Sequence, residues 1–163
     1  MLKDFRRLFT LCCIGIGALT VQSASGQIEI RLEPDATVGS DTVWVDVRLV
    51  AKRDSLETAI SSFQFRVVTD FGVRFMGSET GYSLVEKEGW MSRHNLENGR
   101  VGGFSSSLDA IETDGVLIRL QFLVLPTDTP RKVELLEFRL NSGKPDHFPA
   151  IPSLSLNLIN HQE

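Results

Sequence analysis

From Gln27 onward, apolar residues recur at every second position in short runs broken by Gly, Asp, Asn, Ser and Pro. That period of two is the mark of strands burying one face each. Ile28, Ile30 and Leu32 alternate with Glu29, Arg31 and Glu33, and Pro34-Asp35 is expected to close the run as a turn. Val43, Val45, Val47 and Leu49 alternate with Trp44, Asp46 and Arg48. Phe63, Phe65 and Val67 alternate with Gln64 and Arg66, and Val73 and Phe75 follow a turn at residues 70–72. Residues 77–89 are less regular and predict a loop with one short helical turn at Leu84 and Val85. Runs 90–96 and 100–105 flank Glu97-Asn98-Gly99, where Asn-Gly predicts a hairpin turn because both residues tolerate positive φ. The longest run places Val116, Ile118, Leu120, Phe122 and Val124 on one face, with Arg119 and Gln121 on the other. Residues 126–130 predict a turn or linker loop, 133–140 a strand, Asn141-Ser142-Gly143 a turn, and Leu154, Leu156 and Leu158 a last strand. About nine short strands and no long amphipathic helix predict an all-β fold: a two-sheet sandwich of jelly-roll or immunoglobulin-like topology.

The N-terminus follows other rules. Lys3, Arg6 and Arg7 precede a mostly apolar stretch from Leu8 to Val21, and Ala24-Ser25-Gly26 supplies small residues, the pattern of a cleaved secretory signal. The stretch is short for a membrane span, and Cys12 and Cys13 lack the small preceding residue that a lipidated cysteine needs. The expected organisation is a signal at residues 1–26, one domain at 27–160 and a tail at 161–163. The destination is then secreted, extracellular or periplasmic, with no membrane span after the signal.

Losing the signal removes both cysteines, so the remaining domain forms no disulfide and holds no thiol ligand or nucleophile. Of the 163 residues 137 remain, enough for one domain with its own core. Of 17 basic and 21 acidic residues, 14 and 20 remain, a net charge of −6 that argues against nucleic-acid binding.

Catalytic patterns are absent from the sequence. Ser105-Ser106-Ser107 has no Gly-x-Ser-x-Gly setting, and the three histidines, His94, His147 and His161, are scattered, which disfavours a hydrolytic triad. Gly99, Gly102 and Gly103 fall in a hairpin, outside the strand-to-helix setting of a phosphate loop. Three histidines without cysteine make a zinc site improbable. Calcium fits better, since hard cations take loop carboxylates, and Asp109, Glu112 and Asp114 cluster before the longest run. A solvated acidic turn explains the same residues, and their spacing does not match a helical calcium loop. No enzyme activity, cofactor or metal site is assigned.

Exposed tryptophans would suit sugar rings, and buried ones simply fill a core. Trp44 lies in the polar register of its run, open to solvent or covered by a neighbour, and Trp90 opens a run as an expected core residue. These two are the candidates for direct polysaccharide binding, the alternative function.

Several segments occur in a telling order: Val38 to Val45, Ile60 to Phe65 followed by Phe71 to Phe75, Gly89-Trp90, Gly99 to Phe104, Asp114 to Phe122, and Leu140 to Gly143 before a final apolar strand. In order and spacing they resemble a cohesin domain, the sandwich module of cellulosome scaffolding proteins, within a larger group that includes carbohydrate-binding modules. The resemblance spans Ile28 to Ile159. It implies non-catalytic protein–protein recognition: one sheet face offered to a dockerin-like partner, a small helical calcium-binding module, in extracellular polysaccharide-degrading or surface assemblies. That face would comprise residues 62–68, 90–96, 100–105 and 116–125, with Gln64, Arg66, Arg93, Asn95, Arg119 and Gln121 outward by alternation. Solvent-facing sheets also carry Arg and Gln without any such role.

Overall fold

The computed structural model describes residues 28–36, 41–51, 59–106, 110–141, 151 and 153–160. The expected signal, Asp109, His147, His161 and the tail lie outside the described residues. Among the described residues, nine strands and one short helix follow in order as β1 (Ile28–Ala36), β2 (Thr42–Ala51), β3 (Ser62–Thr69), β4 (Val73–Glu79), α1 (Leu84–Lys87), β5 (Met91–Asn95), β6 (Arg100–Phe104), β7 (Gly115–Val124), β8 (Thr127–Leu140) and β9 (Leu154–Asn160). They form two antiparallel sheets, ordered β1-β2-β7-β4 and β5-β6-β3-β8-β9. The alternating apolar residues of both meet in one core, with Phe122, Phe138, Ile118, Leu120 and Leu135 fully buried. This is the two-sheet sandwich that the period of two predicts.

Four local expectations change. Pro34-Asp35 does not end β1, which runs on to Ala36 with Pro34 opposite Val45; β1 is an edge strand, where a proline's missing N–H is tolerated. Residues 127–130 are not a loop but the start of β8. Pro130 fits because the ladder of β8 with β3 extends only as far as Val133, and the ladder with β9 is irregular between Thr127 and Arg131. In β7 the register shifts between Val47 and Arg48, so Leu117 is an extra residue. Leu117 and Ile118 are both fully buried and Val116 is only partly so, as a bulge interrupts strict alternation. The fourth change is the hairpin from β5 to β6. Among its residues only Gly99 has positive φ, at 69°. Asn95 pairs with Arg100 across a four-residue turn, and the Asn95 Oδ1 accepts the N–H groups of Glu97 (2.9 Å) and Asn98 (3.3 Å). A Cβ on Gly99 would lie 2.3 Å from the Val67 carbonyl oxygen, so glycine is required there by close approach as well as by φ.

The largest departure is in β8. Val133 and Leu135 face the core, and so do Phe138 and Leu140, although the two pairs differ in parity. The ladder with β3 slips between Gln64 and Arg66, which pair with Arg139 and Leu136. The intervening Glu137 takes a left-handed backbone, φ 55°. This bulge turns the second half of the strand over and stacks Phe138 on Phe65, with ring centroids 5.0 Å apart. The aromatic row continues from Phe65 to Phe63 (6.0 Å) and on to Trp90 (6.5 Å). Gly103 makes room for it, since a Cβ there would come within 2.4 Å of the Phe63 ring.

At the end of β8 the expected turn residue Asn141 is a buried hub. Its Oδ1 accepts from the Ser61 N–H (2.6 Å), the Ser61 hydroxyl (3.1 Å) and the Ser62 N–H (3.2 Å), while its Nδ2 donates to the Ala59 carbonyl (2.8 Å). Replacing it by alanine orphans several partly buried groups at once. Asn141→Ala is expected to lower unfolding free energy by about 3 kcal/mol in a denaturant titration; a change below about 1 kcal/mol would mean that water replaces the side chain.

Candidate functional site

The six residues expected to share one face do not. Gln64, Arg66, Arg93 and Asn95 lie on the five-stranded sheet, but Arg119 and Gln121 are on β7, which pairs with β2 and β4 in the other sheet. The single face drawn from sequence is therefore corrected to two opposed surfaces, and they handle their charges differently.

On the four-stranded sheet the charges of β1, β2 and β7 are largely paired with one another, while Arg74 on β4 stays exposed. The Arg119 Nε donates to Asp46 (2.7 Å), its terminal nitrogen donates to Asp35 (2.8 Å), and the guanidinium lies 5.3 Å from the centroid of Trp44. The Asp46 hydrogen bond raises the Arg119 pKa above its ordinary value; burial opposes this, and the Asp46 and Asp35 charges reinforce it. Arg31 binds Glu29 and Arg48 binds Glu33, each at 2.8 Å. Across β1, β2 and β7 this surface is a set of ion pairs, in which Trp44 is half-buried beneath an arginine.

The five-stranded sheet presents three cross-strand rows on its outer face. Met91, Phe104 and Ser62 form the first, Arg93, Gly102, Gln64 and Arg139 the second, and Asn95, Arg100 and Arg66 the third. Glu137 projects beside the third row from the β8 bulge, 3.2 Å from the Arg66 terminal nitrogen and 4.0 Å from that of Arg100. Gly102, outward at the centre, leaves the floor bare, and these rows, Met91 excepted, line an open groove of about 660 Å³. Among the described residues, neither Arg93 nor Arg139 forms an ion pair, and the buried Arg66 Nε has no hydrogen-bond partner. Met91 and Phe104 stay 44 % and 46 % exposed. The Asn95 carboxamide is already engaged by its own turn.

Arg100, Phe104, Met91, Glu137 and Arg139 were not among the expected site residues. The first three follow from plain alternation in β5 and β6. Glu137 and Arg139 do not, because alternation counted from Val133 points both inward; the only sequence signal is the doubled Leu135-Leu136, which breaks the period.

The carbohydrate candidates fare poorly as a platform. Trp90 is 7 % exposed and stacked on Phe63, and Trp44 is on the opposite sheet from the groove. His94 does approach a serine, with Nδ1 3.1 Å from the Ser78 hydroxyl. That nitrogen also accepts the Ser78 N–H at 3.2 Å, and no carboxylate orients the ring among the described residues, so the pair joins the sheet edges of β4 and β5 and builds no triad. Glu112 and Asp114 are exposed, and no group of three potential metal ligands is present among the described residues. No helix among them is long and apolar enough to cross a membrane.

No family model and no curated protein matches the chain. Solved structures do. The third cohesin of ScaC from Acetivibrio cellulolyticus, in complex with the ScaB dockerin, aligns with TM-score 0.50 and 18% identity over 75% of this chain and 91% of that one. A cohesin module from the family 33 glycoside hydrolase of Clostridium perfringens aligns with TM-score 0.50 and 13% identity over 90% of this chain and 100% of that one. A type III cohesin module from the cellulosomal ScaE cell-surface anchoring scaffoldin of Ruminococcus flavefaciens gives TM-score 0.51 and 10% identity over 84% and 88%. The fold is cohesin-like.

Because Arg119 is spent on intramolecular partners, Arg119→Ala is expected to cost about 1–2 kcal/mol of stability in thermal or denaturant unfolding. Arg93→Ala, which breaks no ion pair among the described residues, should stay within about 0.5 kcal/mol of the parent.

Proposed function

We propose that this cohesin-like domain is an exported, non-catalytic recognition module that binds a partner protein through the outer face of β5, β6, β3 and β8. One observation carries the choice of face: Arg93 and Arg139 form no ion pair among the described residues and Met91 and Phe104 stay exposed beside them, whereas Arg31, Arg48 and Arg119 of the opposite sheet are all paired. The three rows span about 14 Å across four strands and about 14 Å along them, taking usual strand spacings, which is wide enough for one helix with its side chains. The partner class is a dockerin-like module on another secreted protein. Support comes from the ScaC cohesin, which was solved with a dockerin bound, and from the signal-like N-terminus. Calcium, if needed, belongs in this scheme to the partner.

Capture from the host's secreted proteins tests the role. The immobilised chain is exposed to them in calcium and then in chelator, beside Gln64→Tyr, which fills the groove from an exposed position, and Arg119→Ala, on the far sheet. Retention of a discrete protein by the parent and by Arg119→Ala, with at least about tenfold less on Gln64→Tyr, is the expected result. Equal retention on Gln64→Tyr would remove this face, and retention indifferent to chelator would remove the calcium-module partner.

A further inference from the structure

We infer that the partner segment is acidic, and that Glu137 is a built-in competitor for the place its carboxylates take. The inference rests on the protein-binding role just proposed and names the chemistry of the occupant.

Within the three rows the face carries Arg66, Arg93, Arg100 and Arg139 against a single carboxylate, on a chain whose net charge is −4. Such a concentration against the average charge is a field aimed at an anion. The groups left over are directional. Arg93 and Arg139 lie at opposite ends of the second row, separated by Gly102 and Gln64, and guanidinium groups pair carboxylates through two parallel N–H donors. The Arg66 Nε, a buried donor without a partner, is the kind of group whose desolvation cost an incoming acceptor can recover.

Glu137 shows how a carboxylate sits here. Its oxygens reach towards both Arg66 and Arg100, one 3.2 Å and the other 4.0 Å away. The left-handed bulge that turns β8 over also fixes this side chain at the rim. A second carboxylate, arriving from a partner, would compete for the same two guanidinium groups and meet like charge from Glu137. Removing that charge should tighten binding.

The first row argues for protein over a polyanionic glycan. Met91 and Phe104 stand directly opposite one another, both substantially exposed, and Phe104, with Met91 beside it, gives an apolar end to a groove that is cationic at its centre and other end. An amphipathic peptide with carboxylates beside an apolar residue matches both halves. A uniform chain of acidic sugars matches only one.

A random peptide library displayed and selected on the full chain tests this, with polygalacturonate titrated separately as the glycan probe. The expected winners carry two or more Asp or Glu beside an apolar residue and lose binding to Gln64→Tyr. Their affinity should fall roughly tenfold for each of Arg93→Ala and Arg139→Ala, weaken with added salt, and rise severalfold on Glu137→Gln. Circular dichroism and unfolding of each variant separate misfolding from lost contact. Neutral or basic winners that are still blocked by Gln64→Tyr would overturn the acidic occupant and leave the face standing. A library with no winner sensitive to Gln64→Tyr would overturn both. Polygalacturonate bound more tightly than any winner, with the same arginine dependence, would replace the peptide by a glycan, and unchanged affinity in Glu137→Gln would remove the competitor.

Discussion

Strand β8 has to bury Val133 and Leu135 as well as Phe138 and Leu140, and an unbroken alternation of period two cannot place both pairs on one face. One extra residue resolves the conflict. Glu137 takes a left-handed backbone and lets the strand turn over between Leu135 and Phe138. A non-glycine residue in that conformation costs about 1 kcal/mol, against several for leaving a phenylalanine outside the core. Packing therefore decides, and the aromatic row from Phe138 through Phe65 and Phe63 to Trp90 depends on it.

The same bulge shapes the surface. Turning the second half of β8 over brings Glu137 and Arg139 to the outer face, beside Gln64 and the pair Arg66 and Arg100. A device needed by the core thus sets the charge pattern outside it. On the opposite sheet Arg119, Arg48 and Arg31 each meet a carboxylate within 2.8 Å, and the arginine left over, Arg74, stands on the edge strand β4. Opposed sheets of one sandwich are in this way chemically distinct: across β1, β2 and β7 the arginines are paired, and in the groove Arg93 and Arg139 are not.

Glycines do two further jobs that side chains would prevent. Gly103 yields its inward space to the Phe63 ring, and its outward neighbour Gly102 leaves the groove floor bare. Gly99 lets the hairpin from β5 to β6 lie against β3, where its carbonyl accepts the Val67 N–H at 2.8 Å. The flatness of the groove at its middle follows from small residues placed for packing and pairing.

The strand count, the apolar faces, the short helical turn at Leu84–Lys87 and the sandwich class were legible along the chain, because alternation and turn residues are local properties that need only neighbouring positions. So were the outward directions of Gln64, Arg66 and Arg93. Which sheet a strand joins is not local. β7 carries the same alternation whichever partners it has, and only its ladders with β2 and β4 separate Arg119 and Gln121 from the groove. Bulges at Leu117 and Glu137 are likewise decided by the packing that surrounds them, so Arg139 was invisible as a surface residue until β8 lay between β3 and β9. Asn141, read from sequence as a turn residue, became a buried hub only once residues 59–62 were folded against it. Outside the bulges of β7 and β8, sequence alone determined what each strand buries, since burial follows the local period; tertiary structure decided where that period breaks and which side chains meet, since both depend on residues far apart along the chain.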